Sequence, residues 1–391
     1  MNTLIPKRCV GRASSESGFS LVEFMVASAI GLFMLLGIIQ AMVGIRTTTR
    51  FNDAIEYIQE GGRFVLSQMT KEVRMGGYAG CVPNLACDSG DTRCVNSLIN
   101  TAGVDYTGTM FDLTVGIGGW DYAATSPGNT IDVSDLDPED EPLDNWNDMD
   151  ANPLHSSLQD LVVPGSDVLV VKYLSELSAL TLSAAPGIND TLFSLTSASD
   201  VEDGTLVAIS DCTGTNIFQN RSDSTESQLS RAFSTDSPSP GNVDPTANAL
   251  THSPTTTAEI HQFIVKIFYV GEGGSGEPTL YRTTYEGGTL SDPVEIVEGV
   301  ESLQILFGID TDSDGVPNQY VDPDGVGAGD VIISVRLSYL VRSLDAVRDD
   351  VDTNTYRLGG SSVATGVTVN PADDQRLRRI FSTTIQVRNT E

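Results

Sequence analysis

The chain has 391 residues, of which 40% are hydrophobic and 7% aromatic, enough to pack one large domain or two modest ones rather than to stay disordered. Its 53 acidic residues outnumber the 22 lysines and arginines and give a formal net charge of −31. A chain of this charge is not expected to bind nucleic acid, or an anionic membrane surface, through its net field.

A long apolar run follows a short polar leader, residues 1–18. Residues 19–43 contain a single ionisable side chain, Glu23. A helix of that length would be about 37 Å long, enough to cross a hydrocarbon core of about 30 Å. A secretory signal peptide is cleaved after its apolar run, whereas the plausible site here, between Gly18 and Phe19, precedes it. We therefore expect the helix to stay with the mature chain.

Gly18, Phe19 and Glu23 resemble the processing signature of type IV prepilins, in which a basic leader ends in Gly and Glu is the fifth mature residue. The resemblance implies that a prepilin peptidase cuts after Gly18, that Phe19 is N-methylated, and that the helix packs in a filament. A carboxylate inside a membrane span costs about 2.5–3.5 kcal/mol and needs a partner. In pilins that partner is thought to be the terminal amine of a neighbouring subunit. The alternative is an ordinary single-span anchor.

Residues 44–78 are predicted to continue the helix as an amphipathic segment. Gly76 and Gly77 would end it, because Gly readily takes the left-handed conformation at a helix C-terminus. We expect this segment, the upper part of a stem helix that covers 19–78, to pack on a head domain formed by 79–391, while 19–43 lies in the membrane or in the filament core. The apolar residues that recur at helical spacing are Phe51, Ile55, Ile58, Val65, Met69 and Val73.

Four cysteines remain once the leader is removed: Cys81, Cys87, Cys94 and Cys212. An even number in an exported domain suggests two disulfides, for which three connectivities are possible. Zinc is the competing interpretation, but the spacings lack the zinc-site pattern and no histidine lies nearby. We favour a local Cys87–Cys94 bridge and a long-range Cys81–Cys212 bridge that ties the end of the stem to the sheet.

The rest of the chain is dominated by loops and short β-type runs. Residues 79–165 look loop-rich, and the acidic run 132–150 and the Ser/Thr/Pro-rich run 222–257 are predicted to be exposed. One long helix followed by antiparallel strands predicts an α+β fold, with the helix packed on an antiparallel sheet that carries long loop insertions. Strands are predicted at 167–174, 205–210, 261–270, 279–285, 331–341 and 381–387.

Several segments together resemble PilW-type minor pilins of the type IV pilus. The resemblance implies a structural subunit that helps to prime the filament, at its tip, and so serves pilus assembly, twitching motility and adhesion. Its partners would be other minor pilins, the major pilin, the prepilin peptidase, the inner-membrane assembly platform and a tip adhesin. The segments are GGYAGC (76–81), GSDVLVVKYL (165–174), ISDC (209–212), PTLYR (278–282), VEGVESLQILFGIDTDSDG (297–315), VIISVRLSYLVRS (331–343) and RLRRIFSTTIQVRN (376–389).

The motif DTDSDGVPN, residues 310–318, is typical of a calcium-binding loop. Carboxylates at its first, third and fifth positions, with Gly at the sixth, let a tight turn direct several oxygens at one hard cation. Position 12 is Val321 rather than the bidentate Glu of an EF-hand, so Asp322 or Asp324 would have to substitute. The alternative is a merely polar turn. The predicted calcium ligands are Asp310, Asp312, Asp314, Val316 (through its carbonyl), Asn318 and Asp322.

No catalytic motif stands out in the sequence. There is no G-x-S-x-G elbow, no H-E-x-x-H pair and no P-loop, and the three histidines have no ligand spacing around them. We therefore expect a structural protein rather than an enzyme, with its span in the inner membrane and its head in the periplasm before the pilus forms on the cell surface. Two alternatives stay open: a GspJ-like type II secretion pseudopilin, and a membrane-tethered, calcium-dependent adhesin or enzyme.

Overall fold

The computed structural model describes residues 18, 20–82, 93–100, 108–111, 113, 115–123, 125–133, 142–177, 179–234, 240–286, 289–327, 329–359 and 366–389. The chain divides into two compact units, Met1–Asp53 and Ala54–Glu391. Helix α1 begins in the first unit and ends in the second.

Helix α1 spans Leu21–Val73, 53 residues, which corresponds to a length of about 80 Å. In the first unit its side chains are exposed almost throughout. By length and composition this apolar stretch can cross a membrane. The helix is therefore a candidate membrane anchor, as the sequence predicts.

In the second unit, α1 buries one face in the head domain. Phe51 is 38% exposed and belongs to the first unit, so the prediction that it lies on this face is wrong. The pattern of large apolar residues missed two small residues that are buried on this face, Ala54 and Gly62. At Gly62 the helix backbone comes close to Phe381 of the smaller sheet. The buried residues of α1 are Ala54, Ile58, Gly62, Val65, Met69, Glu72 and Val73.

The regular secondary structure of the head domain consists almost entirely of strands. A short helix, α2 (Gly108–Phe111), and 3₁₀ turns at Leu143–Asn145, Ser156–Leu158 and Pro323–Gly325 are the other helical elements of the described chain. The strands are β1 (Val95–Ser97), β2 (Ile117–Tyr122), β3 (Thr130–Asp132), β4 (Trp146–Asn147), β5 (Val168–Glu176), β6 (Leu192–Ser194), β7 (Leu206–Asp211), β8 (Gly214–Gln219), β9 (Gln228–Ser230), β10 (Glu259–Glu272), β11 (Pro278–Glu286), β12 (Thr289–Leu290), β13 (Val294–Glu298), β14 (Val300–Asp310), β15 (Gln319–Val321), β16 (Val331–Arg342), β17 (Tyr356–Leu358), β18 (Val367–Asn370) and β19 (Arg378–Gln386).

Two sheets carry most of the fold. The larger has the order β1-β8-β7-β10-β5-β2-β4, and β11 pairs with β10, β12 and β13. The smaller has the order β15-β14-β16-β19. All pairings within these sheets are antiparallel except that of β1 with β8. The predicted α+β class is confirmed, and β10 and β11 form an antiparallel hairpin.

The two sheets meet where the chain enters β5 and passes along β14. Ser166 Oγ accepts a hydrogen bond from the Leu303 amide at 2.9 Å, and the Asp167 amide donates to the Leu303 carbonyl at 2.8 Å. The Asp167 side chain also connects the two sheets, because its Oδ2 accepts a hydrogen bond from the Ile305 amide at 2.7 Å. A buried carboxylate therefore joins the larger sheet to the smaller one.

The stem packs against the smaller sheet. Ile58, Val65, Met69 and Val73 share one apolar core with side chains of β14 and β16, among them Leu337. Each apolar side chain that is buried fully contributes about 1.5–3 kcal/mol. The upper part of the helix is thus an integral part of the head.

Candidate functional sites

The N-terminal end of α1 places Glu23 in the first helical turn. Its Oε2 accepts a hydrogen bond from the Ser20 amide at 3.3 Å. A carboxylate at this position is favoured by the helix dipole and satisfies one of the free N–H groups of the first turn. The neighbouring Leu21, Val22 and Phe24 are each more than 65% exposed. A carboxylate surrounded by exposed apolar side chains is suited to form an ion pair with a cation from another chain.

Of the predicted processing residues, Gly18 is exposed just ahead of the helix. Phe19 lies outside the described residues. Cleavage after Gly18 therefore stays a prediction.

A second acid of the helix, Glu72, is buried against the head. It is 5% exposed, its Oε1 lies 2.7 Å from Lys266 Nζ, and its Oε2 accepts from the Tyr173 hydroxyl at 3.0 Å. Burial and then the Glu72 charge raise the pKa of Tyr173, so its hydroxyl stays a donor. Sequence reasoning missed this site, although Glu72 falls three residues after Met69, on the apolar face where an acid needs a partner.

A disulfide ties the segment after α1 to the larger sheet. Cys81 and Cys212 are bonded, with 4.8 Å between their Cα atoms and a separation of 131 positions in the chain. The bridge joins the end of the stem to the turn after β7, so this prediction is confirmed. Cys94 is buried, whereas Cys87 lies outside the described residues, and the Cys87–Cys94 pairing stays a prediction.

The 310–318 loop brings together three of its predicted calcium ligands. Asp310, Asp312 and Asp314 each place one carboxylate oxygen within 4.8 Å of the others. Asp310 also accepts hydrogen bonds from the amides of Ser313 and Gly315, both at 2.7 Å. Burial acts to raise the pKa of Asp310, but these amide donors outweigh it and the pKa is lowered. The carboxylate is therefore held in its charged, ligand-competent form.

The remaining predicted ligands are placed differently. Asn318 Oδ1 accepts from the Thr311 amide at 2.6 Å and closes the base of the loop, while Val316 is exposed. Asp322 does not join the loop carboxylates. It lies instead with Asp324 and with Asp121 of β2. The reason is the path of the chain, because β15 turns back along β14 after the loop.

Charged side chains at the end of the smaller sheet form a partly buried network. The side chain of Arg378 is fully buried, and its Nε lies 2.8 Å from a carboxylate oxygen of Glu301. Arg342 pairs with Glu301 at 2.9 Å and with Glu277 at 2.8 Å, and Arg376 pairs with Glu277 at 2.7 Å. These contacts connect the start of β11 with β14, β16 and β19. They explain Arg376 and Arg378, two arginines of the segment 376–389 whose role the sequence alone did not reveal.

Comparison with known proteins gives one family match. Residues 267–389 match the model of PilW, described as type IV pilus-assembly protein W. Among solved structures, a type IV-like pilin from Thermus thermophilus is similar at 17% identity, over 33% of this chain and 69% of that chain, with a TM-score of 0.22. No curated protein matches the chain. Residues 267–389, which contain the smaller sheet and its arginine network, thus match the family model of type IV pilus-assembly protein W, in agreement with the sequence resemblance.

Proposed function

We propose that the chain is a minor pilin of the type IV pilus, which helps to prime and assemble the filament at its tip and so serves twitching motility and adhesion. The observation that carries the proposal is Glu23, in the first turn of an exposed apolar helix. The match of 267–389 to a pilus-assembly family supports the pilus over the secretion alternative.

In this proposal, a prepilin peptidase cuts after Gly18 and leaves an amine on Phe19. The apolar part of α1 holds the chain in the inner membrane, with the head in the periplasm. On assembly, Glu23 pairs with the terminal amine of a neighbouring pilin, and the cost of an acid in an apolar setting is offset by the ion pair. The neighbours are other minor pilins and the major pilin, extracted through the assembly platform, with a tip adhesin above them.

A single substitution tests this pairing. Glu23→Ala removes the carboxylate but leaves the apolar helix, so we expect normal amounts of chain in the membrane and a loss from sheared pili. The measurement is immunodetection in the membrane and pilus fractions. Glu56→Ala is the matched control, because Glu56 is an exposed acid of the same helix beyond the apolar run.

Mass spectrometry of the N-terminus should show that both variants begin at Phe19. Normal recovery of the Glu23→Ala chain in pili would count against the proposal. A chain that still begins at Met1 would remove the amine on which the pairing depends.

We also propose calcium as the ligand of the loop formed by Asp310, Asp312 and Asp314. The three oxygens lie on one turn, and calcium accepts six to eight oxygen ligands in flexible arrangements. Carbonyl and water oxygens complete such a shell, since Asp322 lies elsewhere.

A further inference from the structure

A second acidic cluster lies between the two sheets. It consists of Asp121, on β2 of the larger sheet, and Asp322 and Asp324, which flank Pro323 after β15 of the smaller sheet. One carboxylate oxygen of each residue lies within 4.8 Å of the other two. Residues two hundred positions apart in the chain therefore direct three acids to one point.

Asp121 is the unusual member of this cluster. It is 1% exposed, and neither of its carboxylate oxygens has a hydrogen-bond partner among the residues that the structure describes. Burying a carboxylate without a partner is costly, and natural proteins rarely leave one in that state. A cation placed between Asp121, Asp322 and Asp324 would supply the partner that the buried Asp121 carboxylate lacks.

The neighbouring Asp167 differs in that its oxygens are already used. Its Oδ1 accepts from the Tyr122 amide at 3.3 Å and from Thr125 Oγ1 at 3.2 Å, and its Oδ2 accepts from the Ile305 amide at 2.7 Å. Asp167 thus belongs to the hydrogen-bonded contact between the two sheets. It places a further acid beside Asp121, but its oxygens already accept hydrogen bonds from other groups and do not pair with Asp121.

The electrostatics of the cluster agree with this geometry. Burial raises the pKa of Asp121 well above its ordinary value, and repulsion from Asp167 raises it further. Burial raises the pKa of Asp322 to about 7, and the charge of Asp324 acts in the same direction. A cation at the centre would remove this repulsion.

We propose that Asp121, Asp322 and Asp324 form a binding site for a hard divalent cation, calcium, that links the two sheets of the head. Calcium–oxygen distances of about 2.3–2.6 Å place opposite ligands about 4.6–5.2 Å apart, which accommodates the observed spread of the three oxygens. The cation would connect β2 to the segment after β15. The site is separate from the 310–318 loop and does not depend on the pilin proposal.

The chain offers a spectroscopic probe for this site. Its two tryptophans are Trp120, next to Asp121 in sequence, and Trp146, which lies opposite Tyr122 in the β2–β4 pair. Terbium binds to calcium sites and emits light when a nearby tryptophan is excited. Excitation at a wavelength absorbed by tryptophan but not by tyrosine will therefore report binding near Asp121.

The experiment uses the full chain purified in detergent and treated with chelator. Asp312→Asn and Asp314→Asn form the background, so that the 310–318 loop does not contribute. We expect terbium emission that calcium displaces, and the loss of this emission when Asp121→Asn and Asp322→Asn are added. Asp349→Asn with Asp350→Asn is the matched control, since it removes two exposed acids elsewhere and should leave the emission unchanged.

Near-ultraviolet circular dichroism in chelator checks the fold. Asn matches Asp in shape, so the Asp121→Asn, Asp322→Asn chain should keep its spectrum and melt no lower than its background. Terbium emission that persists in this chain, or that calcium fails to displace, would overturn the proposal. So would the absence of any emission from the background chain.

Discussion

Individual carboxylates of this chain behave according to what surrounds them. Glu23 is exposed at a helix start, Glu72 is buried but paired with Lys266, and Asp121 is buried with no hydrogen-bond partner among the described residues. Asp310 is held by amide donors that lower its pKa despite the opposing effect of burial. These differences decide which acids stabilise the fold and which are available to a ligand.

The loop carboxylates should make stability depend on calcium. A ligand that binds only the folded state at about 100 times its Kd adds about 2.7 kcal/mol, which would raise the melting temperature of the full chain by a few degrees. Asp312→Asn with Asp314→Asn should reduce this rise, because two of the three loop carboxylates are lost.

Melting of the detergent-solubilised chain in calcium and in chelator measures the difference. Asp349→Asn with Asp350→Asn should leave the rise intact. An equal rise in the loop variant and the unmodified chain would show that calcium does not act through this loop.

At the scale of elements, the close approach of α1 to the smaller sheet depends on Gly62. A Cβ atom built on Gly62 would lie 2.3 Å from Cζ of Phe381, whose ring stacks on Tyr339 at 5.6 Å between centroids. The Tyr339 hydroxyl also donates a hydrogen bond to the Gly62 carbonyl. The helix therefore cannot accept a side chain here unless the Phe381 ring shifts.

Gly62→Ala should accordingly destabilise the head. Alanine improves helix propensity by about 1 kcal/mol, but overpacking of this kind costs about 1–3 kcal/mol and the ring cannot move freely. We expect a net loss in the free energy of unfolding, measured by denaturant titration of the full chain.

Ser67→Ala, at an exposed position of the same helix, is the control. Phe381→Leu should recover part of the loss by making room for the added methyl group. Stability that is unchanged or increased by Gly62→Ala alone would contradict the close-packing argument.

The sequence predicts an element well when the residues that determine it lie close together in the chain. The apolar run of β5 and the alternation along β10 and β16 identify these strands within a few residues of their bounds. Gly62 carries no such signal, because its importance comes from Phe381, more than three hundred residues later. Asp121 and Asp322 likewise converge only after two sheets have paired. The Cys81–Cys212 bridge was predictable because four cysteines allow few pairings.

At the scale of the whole head, the arginine network connects strands of both sheets. Glu277 precedes β11 of the larger sheet, while Arg342 and Arg376 belong to β16 and to the approach to β19 of the smaller sheet. This network lies within the segment that matches the PilW family. It joins the two sheets through ion pairs, in addition to the hydrogen bonds that Asp167 makes to the smaller sheet.

Acid should weaken the ion pairs of this arginine network in a specific pH range. Burial acts to raise the pKa of Glu277, but hydrogen bonds from Arg376 and Arg342 outweigh it, so the pKa is lowered from 4.5. A carboxylate with a lowered folded-state pKa stabilises the fold above its unfolded-state pKa, and this contribution is lost as the pH falls through the folded-state value. Stability should therefore decline as the pH falls below about 4.5.

Glu277→Gln separates this effect from general acid unfolding, because the amide does not titrate in this range. The variant should be less stable than the unmodified chain at neutral pH, since Arg342 and Arg376 each lose one of their charged partners. The difference between the two chains should shrink as the pH falls below about 4.5, where Glu277 itself becomes protonated. Glu295→Gln, a substitution of an exposed acid of β13, should give no such convergence. Melting curves over this pH range give the comparison, and a constant difference between the two chains would show that Glu277 does not hold the two sheets together through its charge.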